Sequence, residues 1–299
     1  MLLVTGITGH TGKYFLQELI SHKYKGLVRC IVRDTSDTLL LDKSGLNIEK
    51  VVGDLNDKDF LGKVMDGIDI IVHIYNIKHS PAIVEAAIKN NVKRIILVHT
   101  TGIYSKFKYA SKEYKDIEKK VSELITDKNC LTKHTILRPT MIYGDLCDKN
   151  ISKFIKMVDK LKVIPVIDGG KSLIQPINAR DLGKAIFNVL ISPQTDGKAY
   201  DLSGEEPIKI IELFKIISQQ LSKRRVFISV SLKIAVFMAR VLKVLTLGKI
   251  DFEEKVQRMG ENRSYSHANA TRDFGYKPMS FEEGLQIEID QYLERQLKK

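Results

Sequence analysis

Residues 4–12 read Val4-Thr5-Gly6-Ile7-Thr8-Gly9-His10-Thr11-Gly12, three glycines spaced G-x-x-G-x-x-G directly behind an apolar run that starts at Met1. This spacing lets a strand turn straight into a helix while bare backbone approaches a pyrophosphate, whose charge the helix N-terminal amides then meet. Phe15, Leu16, Leu19 and Ile20 recur at helical spacing after the third glycine, so strand, turn and helix are all present. A triphosphate-binding loop is excluded: Gly12-Lys13 has no glycine five residues upstream and is followed by Tyr14. The turn therefore predicts a dinucleotide, with Gly6, Thr8, Gly9, His10, Thr11 and Gly12 around its phosphates.

Apolar β-prone runs alternate with helical ones: Leu27 to Val32, Ile48 to Val52, Ile68 to Ile74, Arg94 to His99 and Thr135 to Arg138, with helices near 12–22, 57–65, 80–90, 109–127 and 150–160. That rhythm is the signature of an α/β Rossmann fold, a doubly wound parallel sheet. After about Val163 it loosens, and Gly169-Gly170, Pro207 and Pro278 suggest a smaller C-terminal substrate lobe. The expected division is residues 1–162 and 163–299, with a segment near 174–190 returning to the Rossmann body. A chain of 299 residues can bury a substantial core, and 43% hydrophobic residues argue against disorder.

Cys30, Cys130 and Cys147 show no paired spacing, so neither a disulfide framework nor a metal site is expected. With the first strand starting at Met1 there is no room for a signal peptide, and a cytoplasmic location is expected. The net charge of +12 calls for an anionic counterpart. Nucleotide phosphates supply one; the lysines are scattered and nucleic-acid-binding signatures are missing, so nucleic acid is not an expected partner.

The second strand ends Val32-Arg33-Asp34, about where the adenosine ribose of a dinucleotide should lie. An acid there suits NAD, whereas the Arg33 guanidinium suits a 2′-phosphate, so NADP is expected and Asp34 keeps NAD open. Asp54, in Gly53-Asp54-Leu55, offers a carboxylate to the adenine amino group, with Leu55 beside it. Tyr75 and Asn76, after His73, could project toward the nicotinamide half; His73 itself reads as a structural histidine.

These residues, together with His99-Thr100-Thr101-Gly102-Ile103-Tyr104, Leu137-Arg138-Pro139-Thr140-Met141-Ile142-Tyr143-Gly144 and Gln175-Pro176-Ile177-Asn178-Ala179-Arg180-Asp181-Leu182, occur in an order that resembles the extended short-chain dehydrogenase/reductases, the superfamily of nucleotide-sugar epimerases and dehydratases. The resemblance spans nearly the whole chain and implies a Rossmann fold with a substrate lobe, and Pro139 beside the cofactor. It also implies catalysis by a Ser or Thr, matched by Thr100, and by a Tyr-x-x-x-Lys pair whose lysine lowers the tyrosine pKa for proton exchange.

That pair is displaced here. The helix reads Tyr109-Ala110-Ser111-Lys112-Glu113-Tyr114-Lys115-Asp116-Ile117-Glu118, and neither tyrosine has a lysine four residues on. With Glu118 as the family's glutamate one turn beyond the lysine, Ala110 falls at the tyrosine position and Tyr114 at the lysine position. Tyr104 is followed four residues later by Lys108 but aligns with a non-catalytic tyrosine. Three alternatives stand: Tyr109 with Lys112 on one helix face; Tyr114 as proton donor beside Lys112 or Lys115, with a lowered pKa; or a dinucleotide site without redox turnover, as in superfamily members that lack the pair.

Residues 230–248 are apolar but interrupted by Lys233, Arg240 and Lys243, too charged to span a bilayer. A lobe helix packed on the Rossmann body is the favoured explanation; peripheral contact with an anionic membrane is the other. Arg180 and Asp181 are expected to start a helix, and 281–297 to close the chain as another. The function expected is an NAD(P)-dependent oxidoreductase, epimerase or dehydratase acting on a hydroxyl or carbonyl of a nucleotide sugar or similar anionic metabolite. The alternative is a dinucleotide-binding redox sensor or accessory component of a membrane-associated assembly. A homodimer fits either.

Overall fold

The structure, a computed structural model, describes residues 1–107, 109–126 and 130–298. Its first half follows the predicted alternation: β1 (Leu2–Thr5), α1 (Gly12–Ser21), β2 (Val28–Val32), α2 (Leu39–Asp42), β3 (Ile48–Val52), α3 (Lys58–Val64), β4 (Ile70–His73), α4 (Ser80–Lys89), β5 (Arg94–Val98), α5 (Ser111–Ile125) and β6 (Lys133–Pro139). The chain continues through β7 (Ile142–Tyr143), α6 (Ile151–Lys160), β8 (Val163–Ile167), β9 (Leu173–Ile174), β10 (Ile177–Asn178), α7 (Ala179–Leu190), β11 (Lys198–Leu202), β12 (Ile208–Lys209), α8 (Ile210–Gln220) and β13 (Val226–Val230). It ends with α9 (Leu232–Leu245), α10 (Glu253–Met259), α11 (Ala268–Phe274) and α12 (Phe281–Leu297).

Seven parallel strands form the central sheet in the order β3-β2-β1-β4-β5-β6-β11. Strand order reverses between β1 and β4, which opens the crevice where a Rossmann sheet takes its dinucleotide. Helices cover both faces, so inner strands are buried on both sides; β5 is buried from Arg94 to Val98. Arg94 tolerates this because its guanidinium donates to the carbonyls of Leu190 and Ser192 and to Thr195 Oγ1, and pairs with Asp196. One face carries α1 and α7; the other carries α3, α4 and α5. A Cβ on Gly183 would lie 2.7 Å from Tyr14, so α7 meets α1 at a distance that only glycine permits.

The lobe does not begin at 163. Ile151, Ile155 and Val158 of α6 pack with Ile164, Phe214, Leu285 and Ile289, so α6 belongs to the lobe's core, while α7, β11 and α11 return to the sheet. The boundary expected at 162 is corrected to one ahead of α6, because the apolar face of α6 finds its complement on α8 and α12 and not on the sheet.

A second correction concerns 230–248. Only Ala239 of α9 is buried; the helix lies against α10 and turns most of its apolar side chains to solvent, Phe237 at 66% and Leu245 at 76% exposure. The expected packing on the Rossmann body does not occur. Among the described residues, no helix is long and apolar enough to cross a membrane.

Candidate functional site

The glycine turn closes on itself: the Gly9 amide donates to the Gly6 carbonyl (3.0 Å), and Lys13 N donates to Gly9 O (3.1 Å). Gly6 sits at φ +75°, and a Cβ on Gly12 would meet Gly6 O at 2.1 Å, so the tight entry to α1 requires both glycines. Thr11, preceding α1, makes no side-chain cap bond; the Lys13 and Tyr14 amides close the first turn on the Gly9 and Thr11 carbonyls, so the helix presents its positive N-terminal end to the cleft uncovered by a capping side chain.

A cleft of about 450 Å³ runs along this turn at the β1/β4 switch point. Its walls hold the expected Gly6, Thr8, Gly9, His10, Thr11 and Gly12, with Arg33, Asp54, Leu55 and Tyr75 further along. Arg33 lines the cleft at the end of β2, where the adenosine ribose is expected, next to Ser36, whose hydroxyl accepts from the Arg33 amide (3.1 Å); Asp34 does not line the cleft. Asp54 Oδ1 accepts from the backbone and side-chain amides of Asn56, both at 2.9 Å, which fixes the carboxylate at the wall. Ser36, Asn56 and His79 also line the cleft. Ser36 and Asn56 lie in loops and His79 in a short 3-10 turn ahead of α4, where no periodicity marks which side chain turns inward. Pro139 is a correction: it is buried at the end of β6 with its carbonyl held by Thr101 Oγ1 (3.2 Å), and it does not line the cleft.

His73 is fully buried between Thr5 Oγ1 (2.6 Å) and the Asn76 carbonyl (3.1 Å), and burial pulls its pKa down to about 3. It ties β4 to β1 at the switch point as a neutral imidazole. Arg180 and Asp181 open α7, where Arg180 Nη1 donates to Gly144 O (2.6 Å) and Asp181 accepts from the Met279 amide.

A second cavity of about 440 Å³ adjoins the first, sharing His10 and Ile142. Thr100, Thr101, Ser105 and Thr140 face it from the ends of β5 and β6; Gln175, Arg258, Arg263 and Tyr265 come from the lobe. Thr100 Oγ1 accepts from the Gly102 amide (3.0 Å), so the hydroxyl that lines the cavity also caps the turn that follows. Burial, and then the neighbouring Arg258 charge, lower the Arg263 pKa to about 10. Among the described residues, Nε of Arg258 and Nε of Arg263 are buried without a hydrogen-bond partner. Two such guanidinium groups on one cavity wall favour an anion. They come from the segment 258–263, which has no strong periodicity by which a sequence would mark them.

Asp145 holds His10, a residue common to both cavities. It accepts from Tyr14 Oη (3.0 Å) and pairs with Lys13 and with His10 Nε2 (3.1 Å). Burial pushes this carboxyl up, but the bonds to His10 and Lys13 outweigh it and hold the group ionised far below the usual carboxylate range.

The remaining catalytic candidates are not assembled around either cavity. Tyr109, 62% exposed, and Lys112 line a shallow outer depression with Pro81 and Lys120. Tyr114 lines neither cavity, and burial followed by the Glu113 charge raises its phenol pKa, the reverse of the lowering its proposed role needs. Lys108 lies outside the described residues. Glu118 binds Arg138 through both carboxylate oxygens and His99 Nδ1 at 3.0 Å, which pins α5 with Tyr114 one turn and Ala110 two turns ahead of Glu118.

A glycine cradle at the switch point of a parallel sheet, with a lobe-walled cavity beside it, defines a dinucleotide-binding protein with the fold of the extended short-chain dehydrogenase/reductases. Residues 6–161 match the NAD(P)H-binding family, and the chain belongs to it. Its cofactor is thus a nicotinamide dinucleotide. One similar protein is the mitochondrial NADH dehydrogenase [ubiquinone] 1 alpha subcomplex subunit 9 of Dictyostelium discoideum, 29% identical over 217 residues, covering 68% of this chain and 59% of that one. The chain thus spans well under two thirds of that relative's length. Among solved structures, gox2253 superposes with a TM-score of 0.76 at 20% identity, covering 99% of this chain and 98% of that one. MoeE5 in complex with UDP-glucose and NAD superposes at 0.75 with 14% identity and 99% coverage of both chains. These likenesses show the fold.

Proposed function

We propose that the protein holds NADP(H) in the cleft and a small anionic ligand in the adjoining cavity, without the tyrosine–lysine proton exchange of its superfamily, as an accessory component of a larger assembly. The observation that carries this reading is the α5 register. With Glu118, which Arg138 holds in place, taken as the family's glutamate, Ala110 falls at the tyrosine position, and an alanine methyl neither donates nor accepts a proton. The relative from Dictyostelium, a subunit of an NADH dehydrogenase, supports it. Arg33 beside Ser36 supports the phosphorylated cofactor.

A second reading is favoured by the cavity itself: Thr100, Arg258 and Arg263 surround space for a metabolite beside the cofactor cleft. In that reading the protein is an oxidoreductase, epimerase or dehydratase acting on a hydroxyl or carbonyl of a nucleotide sugar or similar anion. The two readings separate when purified protein is titrated with NADPH and NADH and then offered a panel of nucleotide sugars. Tight binding with no change in nicotinamide absorbance and no altered sugar product supports the accessory role. Turnover that Thr100→Ala abolishes supports the enzyme.

A further inference from the structure

The apolar face of α9 is a feature that the nucleotide-binding reading leaves unused. Phe237, Met238, Val244, Leu245 and Leu247 stand 62–89% exposed on one helix and the turn after it. A contiguous apolar surface of this kind on a soluble body marks a docking face. Charge identifies the occupant. Arg240 and Lys243 are engaged by Glu253 and Asp251, whereas Lys233, Lys249 and Lys255 make no ion pair among the described residues. They flank the apolar side chains at both ends of α9 and at the start of α10, and Lys255 lies over the Phe252 ring, its Nζ 5.2 Å from the centroid.

A second copy of the chain is a poor fit to that pattern, because a two-fold contact on this face would bring lysines of both copies together. Anionic headgroups match it. The 14 residues of α9 extend about 21 Å, short of the ~30 Å of a bilayer core, so the helix can lie in the surface but not cross it. We propose that α9 and the turn to α10 lie in the plane of an anionic lipid surface, with Phe237, Met238 and Leu245 among the acyl chains and Lys233, Lys249 and Lys255 at the headgroups. The docked element is coupled to the rest of the molecule: Glu254 of α10 accepts from the Tyr109 amide, and Arg258 at its end lines the lobe cavity.

Flotation of the full chain with phosphatidylcholine vesicles, with and without phosphatidylglycerol, tests this. The protein should float with the anionic vesicles and stay in solution with the neutral ones. Lys233→Gln with Lys249→Gln should lower partitioning roughly 30-fold. Phe237→Ser with Leu245→Ser should abolish it while NADPH binding, read by nicotinamide fluorescence, stays unchanged and reports an intact fold. If neither vesicle type carries the protein, or if both carry it equally and the lysine pair has no effect, the proposal fails. It fails too if the wild type sediments as a dimer that Phe237→Ser with Leu245→Ser splits, since a second copy then covers the face. Should the apolar variant not fold, the lysine pair alone decides.

Discussion

Glu118 grips Arg138 with both carboxylate oxygens, Oε2 to Nη2 at 2.6 Å and Oε1 to Nε at 2.9 Å, and so locks α5 against β6 beside the cavity. Burial opposes the Glu118 charge, but the bonds to His99 and Arg138 prevail and bring its pKa down to about 2. Both side chains are largely shielded, so removing one strands the other's charge. Glu118→Ala should cost about 3 kcal/mol in urea unfolding. A loss below about 1 kcal/mol would mean that the pair is screened and does not hold the register.

Gly12→Ala tests the phosphate cradle. The added methyl cannot fit 2.1 Å from the Gly6 carbonyl, so the turn must open. NADPH affinity measured by calorimetry should fall at least about tenfold, the scale of losing one hydrogen bond to a charged group. Gly62→Ala is the control, since its Cβ would meet nothing within 4 Å, and it should bind as the wild type does.

Arg33→Asp addresses the choice of dinucleotide. Replacing a guanidinium at the ribose end by a carboxylate removes a charged hydrogen bond to a 2′-phosphate, so NADPH should weaken by about 10- to 100-fold while NADH binding holds or improves. An unchanged NADPH:NADH ratio would place Arg33 away from the phosphate.

Glu288 supplies the pH dependence. It is fully buried, accepting from the Gly144 amide at 3.0 Å, and burial together with Asp148 drives its pKa well above the ordinary 4.5. The folded state therefore holds a proton that the unfolded chain releases above pH 4.5, so stability falls as pH rises from there toward the alkaline range. Glu288→Gln keeps an acceptor for Gly144 without the ionisation, and its melting temperature should be flatter with pH than the wild type's. Parallel curves for the two proteins would refute the assignment.

The Rossmann half was legible because its signals are local. Glycine spacing dictates a turn, and apolar periodicity separates strand from helix over a few residues; β3 spans Ile48–Val52 as predicted, and α12 Phe281–Leu297. The spacing of Tyr114 from Glu118 along α5 was equally open to reading, since the helical turn is fixed by backbone geometry. By contrast, Arg258, Arg263 and Asp145 meet the site across long stretches of chain, and no local pattern encodes such encounters.

Sequence alone thus determined that this chain winds a parallel sheet around a dinucleotide cradle and lacks the tyrosine–lysine spacing in the helix beside it. Tertiary structure decided which side α6 joins, that Tyr109 and Lys112 face an outer depression, and that α9 is left uncovered. The reason is physical: periodicity shows that a helix has an apolar face, but only the placement of its neighbours determines what, if anything, buries that face.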